Sequence, residues 1–300
     1  VVAGSFYPAD EKELRAMVHT YLKQACGVAV KGKIRGLVAP HAGYIYSGIV
    51  AAGGYKQIDP GVRTVIIMAP SHRTTFQGVS IPEVSSYRTP FGDIPLAKVV
   101  SKLRRHPVIT FVKQAHSGEH ALEVQLPFLQ EVLGKFDLIP LVVGDVDPQE
   151  LTNMLLPYVT GDTLVVASSD LSHYYPYQKA VSMDRVCTKA ISSLDFDEMP
   201  RCEACGKTPV LTLMHIARIK GWSGVLIDYK NSGDTGGPKS RVVGYASIAF
   251  TIPKGGVMMS TNEKKELPAS ERKFLLKLAR SAITANLKHQ EFTINPEDVP

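Results

Sequence analysis

Three apolar stretches of this chain run directly into histidine. They read Ala39-Pro40-His41-Ala42-Gly43-Tyr44, Ala69-Pro70-Ser71-His72 and Ser168-Ser169-Asp170-Leu171-Ser172-His173. A neutral imidazole is a common ligand for zinc, copper and iron, so His41 and His72 are candidate metal ligands. His173 follows Asp170 by three residues, and both a ligand role and an acid–base role are open to it. A fourth group is Ser117-Gly118-Glu119-His120-Ala121-Leu122-Glu123. There His120 is either part of a site wall or an ordinary residue at a helix start. For Glu123 the simpler expectation is a solvated helix N-terminus that the helix dipole favours. Cys202 and Cys205 form Cys-x-x-Cys ahead of Gly206 and an apolar helix, and no second such pair exists to complete a four-Cys zinc site. At a helix N-terminus the Cys205 thiol would ionise easily, which suits either a nucleophile or a thiolate ligand. One cysteine with two histidines also suits an open metal site of catalytic type.

These residues need elements to hold them. Short apolar runs at 34–39, 64–69, 138–143 and 164–167 predict buried strands. Helical spacing is seen at 49–57, 97–105, 122–133, 149–158, 178–194 and 210–220, after a first helix from Asp10 to about Lys23. Two further β-rich runs, 224–229 and 242–251, close the body. The alternation predicts an α/β fold with a mainly parallel or mixed sheet flanked by helices. In such sheets ligands bind beyond the carboxyl ends of the strands, so the histidines converge if their strands are parallel neighbours. The run from Asn231 to Gly237 lacks a Walker lysine and reads as a flexible loop, a candidate lid. Residues 254–267 have the composition of a linker, and 268–300 carry the spacing of one amphipathic helix.

Composition excludes several classes. The 300 residues are 44% hydrophobic and 21% charged, as in a globular protein. No apolar run is long enough to span a bilayer. Four cysteines are too few for a disulfide framework. Thirty-four basic against 28 acidic residues give +6, without the dense basic run expected of a nucleic-acid binder. Lys102, Arg104 and Arg105 read as a solvated helix end. With no signal-peptide pattern, the cytoplasm is the expected compartment.

An ordered set of motifs then matches one family. It comprises Val2-Ala3-Gly4-Ser5-Phe6-Tyr7-Pro8, Ala39-Pro40-His41-Ala42-Gly43-Tyr44, Pro70-Ser71-His72 and Tyr87-Arg88-Thr89-Pro90. It continues with Glu119-His120-x-x-Glu123-x-Gln125-Leu126-Pro127, Ser168-Ser169-Asp170-Leu171-Ser172-His173, Cys205-Gly206 and Asn231-Ser232-Gly233-Asp234. Over residues 1–253 the chain resembles the Memo family, the B component of the AmmeMemoRadiSam system in bacteria and archaea. The tail from Leu267 resembles the opening helix of an AMMECR domain. The resemblance implies a fold like that of class III extradiol dioxygenases. It also implies a metal site on His41, His72 and Cys205, with Asp170, His173 and His120 lining the pocket.

Ring-cleaving enzymes of that fold hold iron on two His and a Glu. A thiolate in the third place favours copper, zinc or a redox role instead. One expected function is therefore a metal-dependent oxidoreductase acting on a small molecule. In it iron or copper (zinc also fits) sits on His41, His72 and Cys205, His173 is the acid–base group and Asp170 orients it. A second is a non-catalytic adaptor working with an AMMECR-like domain and a radical-SAM protein. A third is a hydrolase with Cys205 as nucleophile.

Overall fold

The computed structural model describes residues 1–252; the expected linker at 254–267 and helix at 268–300 lie outside the described residues. The first helix, α1 (Glu11–Gln24), starts where the Asp10 carboxylate accepts from the Lys12 and Glu13 amides, satisfying donors the helix cannot. The chain then builds β1 (Ile34–Ala39), α2 (Tyr44–Tyr55) and β2 (Thr64–Pro70). Next come β3 (Val79–Ser80), the hairpin β4 (Ser86–Thr89) and β5 (Gly92–Pro95), α3 (Val100–Leu103), β6 (Ile109–Thr110) and α4 (Lys113–His116). The second half runs α5 (Leu126–Leu133), β7 (Asp137–Val143), α6 (Pro148–Leu155), β8 (Thr163–Ser168), β9 (His173–Tyr175) and α7 (Tyr177–Ser193). It ends with α8 (Lys207–Lys220), β10 (Ser223–Asn231), α9 (Ser232–Thr235) and β11 (Val242–Thr251).

The main sheet has the order β10-β11-β1-β8-β2-β7-β3-β6, with β9 on β11. Its centre, β1-β8-β2-β7, is parallel throughout, while β11 pairs antiparallel with β1 and β10. Alternate side chains of the central strands enter opposite cores. Val38, Ile66, Met68 and Ile139 pack with Leu155, Ile191, Leu213 and Ile216 of α6, α7 and α8. Leu37, Val65, Ile67 and Val166 pack with Leu14, Tyr55 and Phe128 of α1, α2 and α5. Both faces of the sheet are therefore covered, which accounts for the unbroken apolar runs of the central strands. The fold class is the expected one. Among the described residues no helix is long and apolar enough to cross a membrane.

Three local expectations are revised. The helix read at 97–105 shrinks to the single turn α3, because the Ala97 amide donates to the Leu138 carbonyl and ties the preceding backbone to the sheet edge. The helix read at 122–133 divides at Pro127, which has no N–H to return to Glu123. The Leu126 amide takes the Glu123 carbonyl in a 3₁₀ turn, and the regular helix follows. The Asn231 segment is not an open loop. Asn231 is buried and caps α9 reciprocally with Asp234.

Candidate metal centre

Strand order brings the histidines together. β8 lies between β1 and β2, all three parallel, with Ala39 opposite Ser168 and Met68 opposite Ala167. The chain therefore leaves three adjacent strands on the same side, carrying His41, His72 and Asp170. The ring of His41 lies 5.1 Å from that of His72 and 5.4 Å from that of His120, and the last two stack at 4.8 Å. One ring nitrogen from each of His41, His72 and His120 lies within 4.8 Å of the others, close enough to hold one metal ion. His41 is buried and His72 exposed, so the cluster is closed on one side and open on the other.

Each imidazole is oriented by a different device. The Glu119 carboxylate accepts from the His72 amide at 2.7 Å and from His72 Nδ1 at 3.1 Å. Its Oε1 also accepts from the His120 and Ala121 amides, at 2.8 and 2.9 Å. Burial alone would raise this carboxyl, but the bonds from His72 and Ala121 outweigh it and hold the pKa at about 2. Glu119 is thus an anion that leaves His72 Nε2 bare for the centre. His41 Nδ1 instead meets the Ser168 hydroxyl at 2.8 Å, and its Nε2 lies 3.1 Å from the Cys205 sulfur. Burial and the charge of His72 push the His41 pKa down to about 3, keeping the ring neutral. Phe6 stacks on His120 with centroids 4.3 Å apart. His120 Nδ1 is shielded from solvent and has no hydrogen-bond partner; the Glu119 Oε1 atom, 3.5 Å away, does not bond it. A buried ring nitrogen without a partner is a donor that an added ligand would satisfy. Burial also keeps His120 neutral, lowering its pKa to about 4.

Asp170 closes the buried side. Its carboxylate accepts from the His41 amide at 2.7 Å, and its own amide donates to the Cys205 sulfur at 3.2 Å. Burial raises this carboxyl to about 6 against the pull of its hydrogen bonds. Cys205 precedes Gly206, the N-cap of α8, and that glycine is needed for contact: a Cβ there would stand 2.3 Å from the Ser168 carbonyl oxygen. The thiol expected to ionise easily does the reverse. Burial, then the Asp170 charge, pushes it up to about 12, because the sulfur faces the protein interior. The Cys202 thiol donates to the Glu198 carbonyl at 3.8 Å, and Cys202 is buried and unbridged to Cys205.

The motifs find their counterpart in known proteins. Residues 1–249 match the family profile of Memo-like proteins. The chain belongs to the Memo family. A MEMO1 family protein of Sulfolobus acidocaldarius is 34% identical over 276 residues, spanning 83% of this chain and 97% of its own. Those of Aquifex aeolicus and Methanopyrus kandleri are 34% identical over 264 and 274 residues, with the same coverage. A solved protein from Escherichia coli K12 is a weaker likeness, 13% identical with a TM-score of 0.48 over 72% of this chain and 99% of its own.

Within this Memo chain, three of the six expected site residues, His41, His72 and His120, face one another, Cys205 reaches the cluster only through its contact with His41 Nε2, and Asp170 braces His41 and Cys205. His173 stands further off on β9. Its amide donates to Glu203 and its ring lies edge-on to Tyr174. Glu123 is not a solvated helix start: it is buried and accepts from the Tyr7 hydroxyl at 2.7 Å. Reading the residues alone missed Glu119 and Ser168 as supports. Glu119 adjoins His120, and Ser168 ends the apolar run of β8, so position was the available signal.

Proposed function

We propose that this protein is a redox-type metalloprotein that holds one iron or copper ion on His41, His72 and Cys205 in a pocket like that of the extradiol dioxygenases. The observation that carries the reading is the convergence of three imidazoles, two of them just beyond the ends of the parallel strands β1 and β2, with the Cys205 sulfur 3.1 Å from His41 Nε2; the cluster is closed on the His41 side and open on the His72 side. His120 is a further nitrogen donor within reach of both histidines. A bound ion would supply a redox-active centre and the positive charge that ionises the neighbouring thiol. The chain's own residues do the rest. Glu119 and Ser168 aim the rings, Asp170 pins the His41 backbone, and a raised Asp170 carboxyl near His173 can store a proton beside the centre.

Metal analysis of anaerobically purified protein tests the reading. The expectation is close to one transition metal per chain, lost from the His41→Ala, His72→Ala double variant; full retention by that variant overturns the site. Comparing Cys205→Ser with His120→Ala separates the third donors, since the larger loss marks the ligand.

A second reading, an adaptor that works with an AMMECR-like domain and a radical-SAM protein, is supported by the sequence from Leu267 onward. Co-purification with either partner tests it, and no association with either counts against it.

A further inference from the structure

His41 sits at the end of a buried hydrogen-bond chain whose polarity can be worked out atom by atom. The Gln125 side chain has one terminal atom 3.0 Å from the Pro40 carbonyl oxygen. A carbonyl only accepts, so that atom is Nε2, and the amide orientation is fixed. Gln125 Oε1 then faces the Tyr55 hydroxyl at 2.7 Å and accepts its proton. The second Nε2 proton points to Ser168 Oγ at 2.8 Å. Ser168 Oγ lies 2.6 Å from the Ala121 carbonyl oxygen, again an acceptor only, so the one hydroxyl proton goes there. The serine has two lone pairs left. One receives Gln125, and the other can only accept from His41 Nδ1 at 2.8 Å. Tyr55, Gln125, Ser168 and His41 are all buried, so no water competes for these bonds.

We propose that Ser168, anchored by Gln125 and Tyr55, locks His41 as the Nδ1–H tautomer, which makes Gln125 a positioning residue for the metal-facing Nε2. The lock presents a bare nitrogen without placing a second charge in the core, as a carboxylate in the place of Ser168 would. Its value for a metal rests on the metal-binding reading above; the tautomer itself does not.

Long-range ¹H–¹⁵N spectra of the histidine rings in metal-free, ¹⁵N-labelled wild-type protein test the lock directly. His41, assigned by the signals that vanish in His41→Asn, should show a protonated Nδ1 and an unprotonated Nε2. The opposite pattern overturns the proposal whatever the variants do. Cobalt(II) titration then tests the chain of supports. Ser168→Ala and Gln125→Met should each weaken binding by about 10- to 100-fold, the range for lost ligand-orienting partners. Because they act through one path, the double variant should be no weaker than the worse single one. Independent, multiplying losses, or wild-type affinity in Gln125→Met, remove Gln125 from the role. Wild-type protein that takes up no cobalt while showing the Nδ1–H tautomer would defeat the metal reading and leave the lock standing.

Discussion

The two histidines that end β1 and β2 do similar work in opposite surroundings. His72 is exposed and is aimed by an anion, Glu119, which also gathers the His120 and Ala121 amides. His41 is buried and is aimed by a neutral chain of hydroxyl and amide groups. The difference follows from where charge is tolerated. Glu119 is itself buried, but its hydrogen bonds from His72, His120 and Ala121 keep it an anion, and it can strengthen an imidazole that reaches solvent. In the core, a carboxylate would draw a second proton to the ring and bury an ion pair, whereas a hydroxyl fixes the tautomer and leaves the ring uncharged.

The contrast can be broken from either side. The largest effect is expected at Asp170→Ala, which strips the buried His41 amide of its acceptor. Chemical denaturation should show a loss of about 1–3 kcal/mol, the cost of one buried unsatisfied donor. Glu119→Gln comes next. It should weaken cobalt binding about 10- to 100-fold through His72, as loss of an orienting carboxylate does elsewhere. If Ser168→Ala were the far weaker lesion in the same titration, the two supports would not be equivalent.

Acid should then act in two stages on the metal-free protein. A buried His41 with its pKa near 3, against 6.5 when free, contributes stability above about pH 6.5 that is lost as pH falls toward 3. Glu119, held near 2 against 4.5, contributes stability above about pH 4.5 that is lost on the way down to pH 2. Unfolding midpoints across that range should fall continuously with acidification. In His41→Asn the slope between pH 6.5 and 4.5 should flatten; an unchanged slope would mean that His41 is not held neutral. The smallest effect is expected far from the centre. Arg88→Ala removes an exposed ion pair with Asp93 on the β4–β5 hairpin and should leave both the unfolding midpoint and cobalt affinity where they were.

Much of this architecture was legible in the residues. The central strands announced themselves because burial on both faces demands continuous apolar runs, and β1, β8 and β2 ran on into the polar residues that the sheet then delivered to the site. The elements that went unread are short: two-residue strands such as β3 and β6 have no periodicity to detect. The supports of the site were hidden for another reason. Tyr55 reaches Gln125 across 70 positions, and Gln125 reaches Ser168 across 43, so no local pattern links them. Glu123 looked like a solvated helix start because its spacing from Glu119 is helical, and only tertiary packing shows the turn to be buried and 3₁₀.

The place of β8 between β1 and β2 also has a consequence for synthesis. His41, His72 and His120 all precede β8 in the chain, so they leave the ribosome before the strand that separates and braces their own strands exists. Pairing over so long a sequence separation is a late folding event. Until it occurs, the three imidazoles belong to a chain without its central strand, and the finished sheet gives His41 and His72 their final spacing.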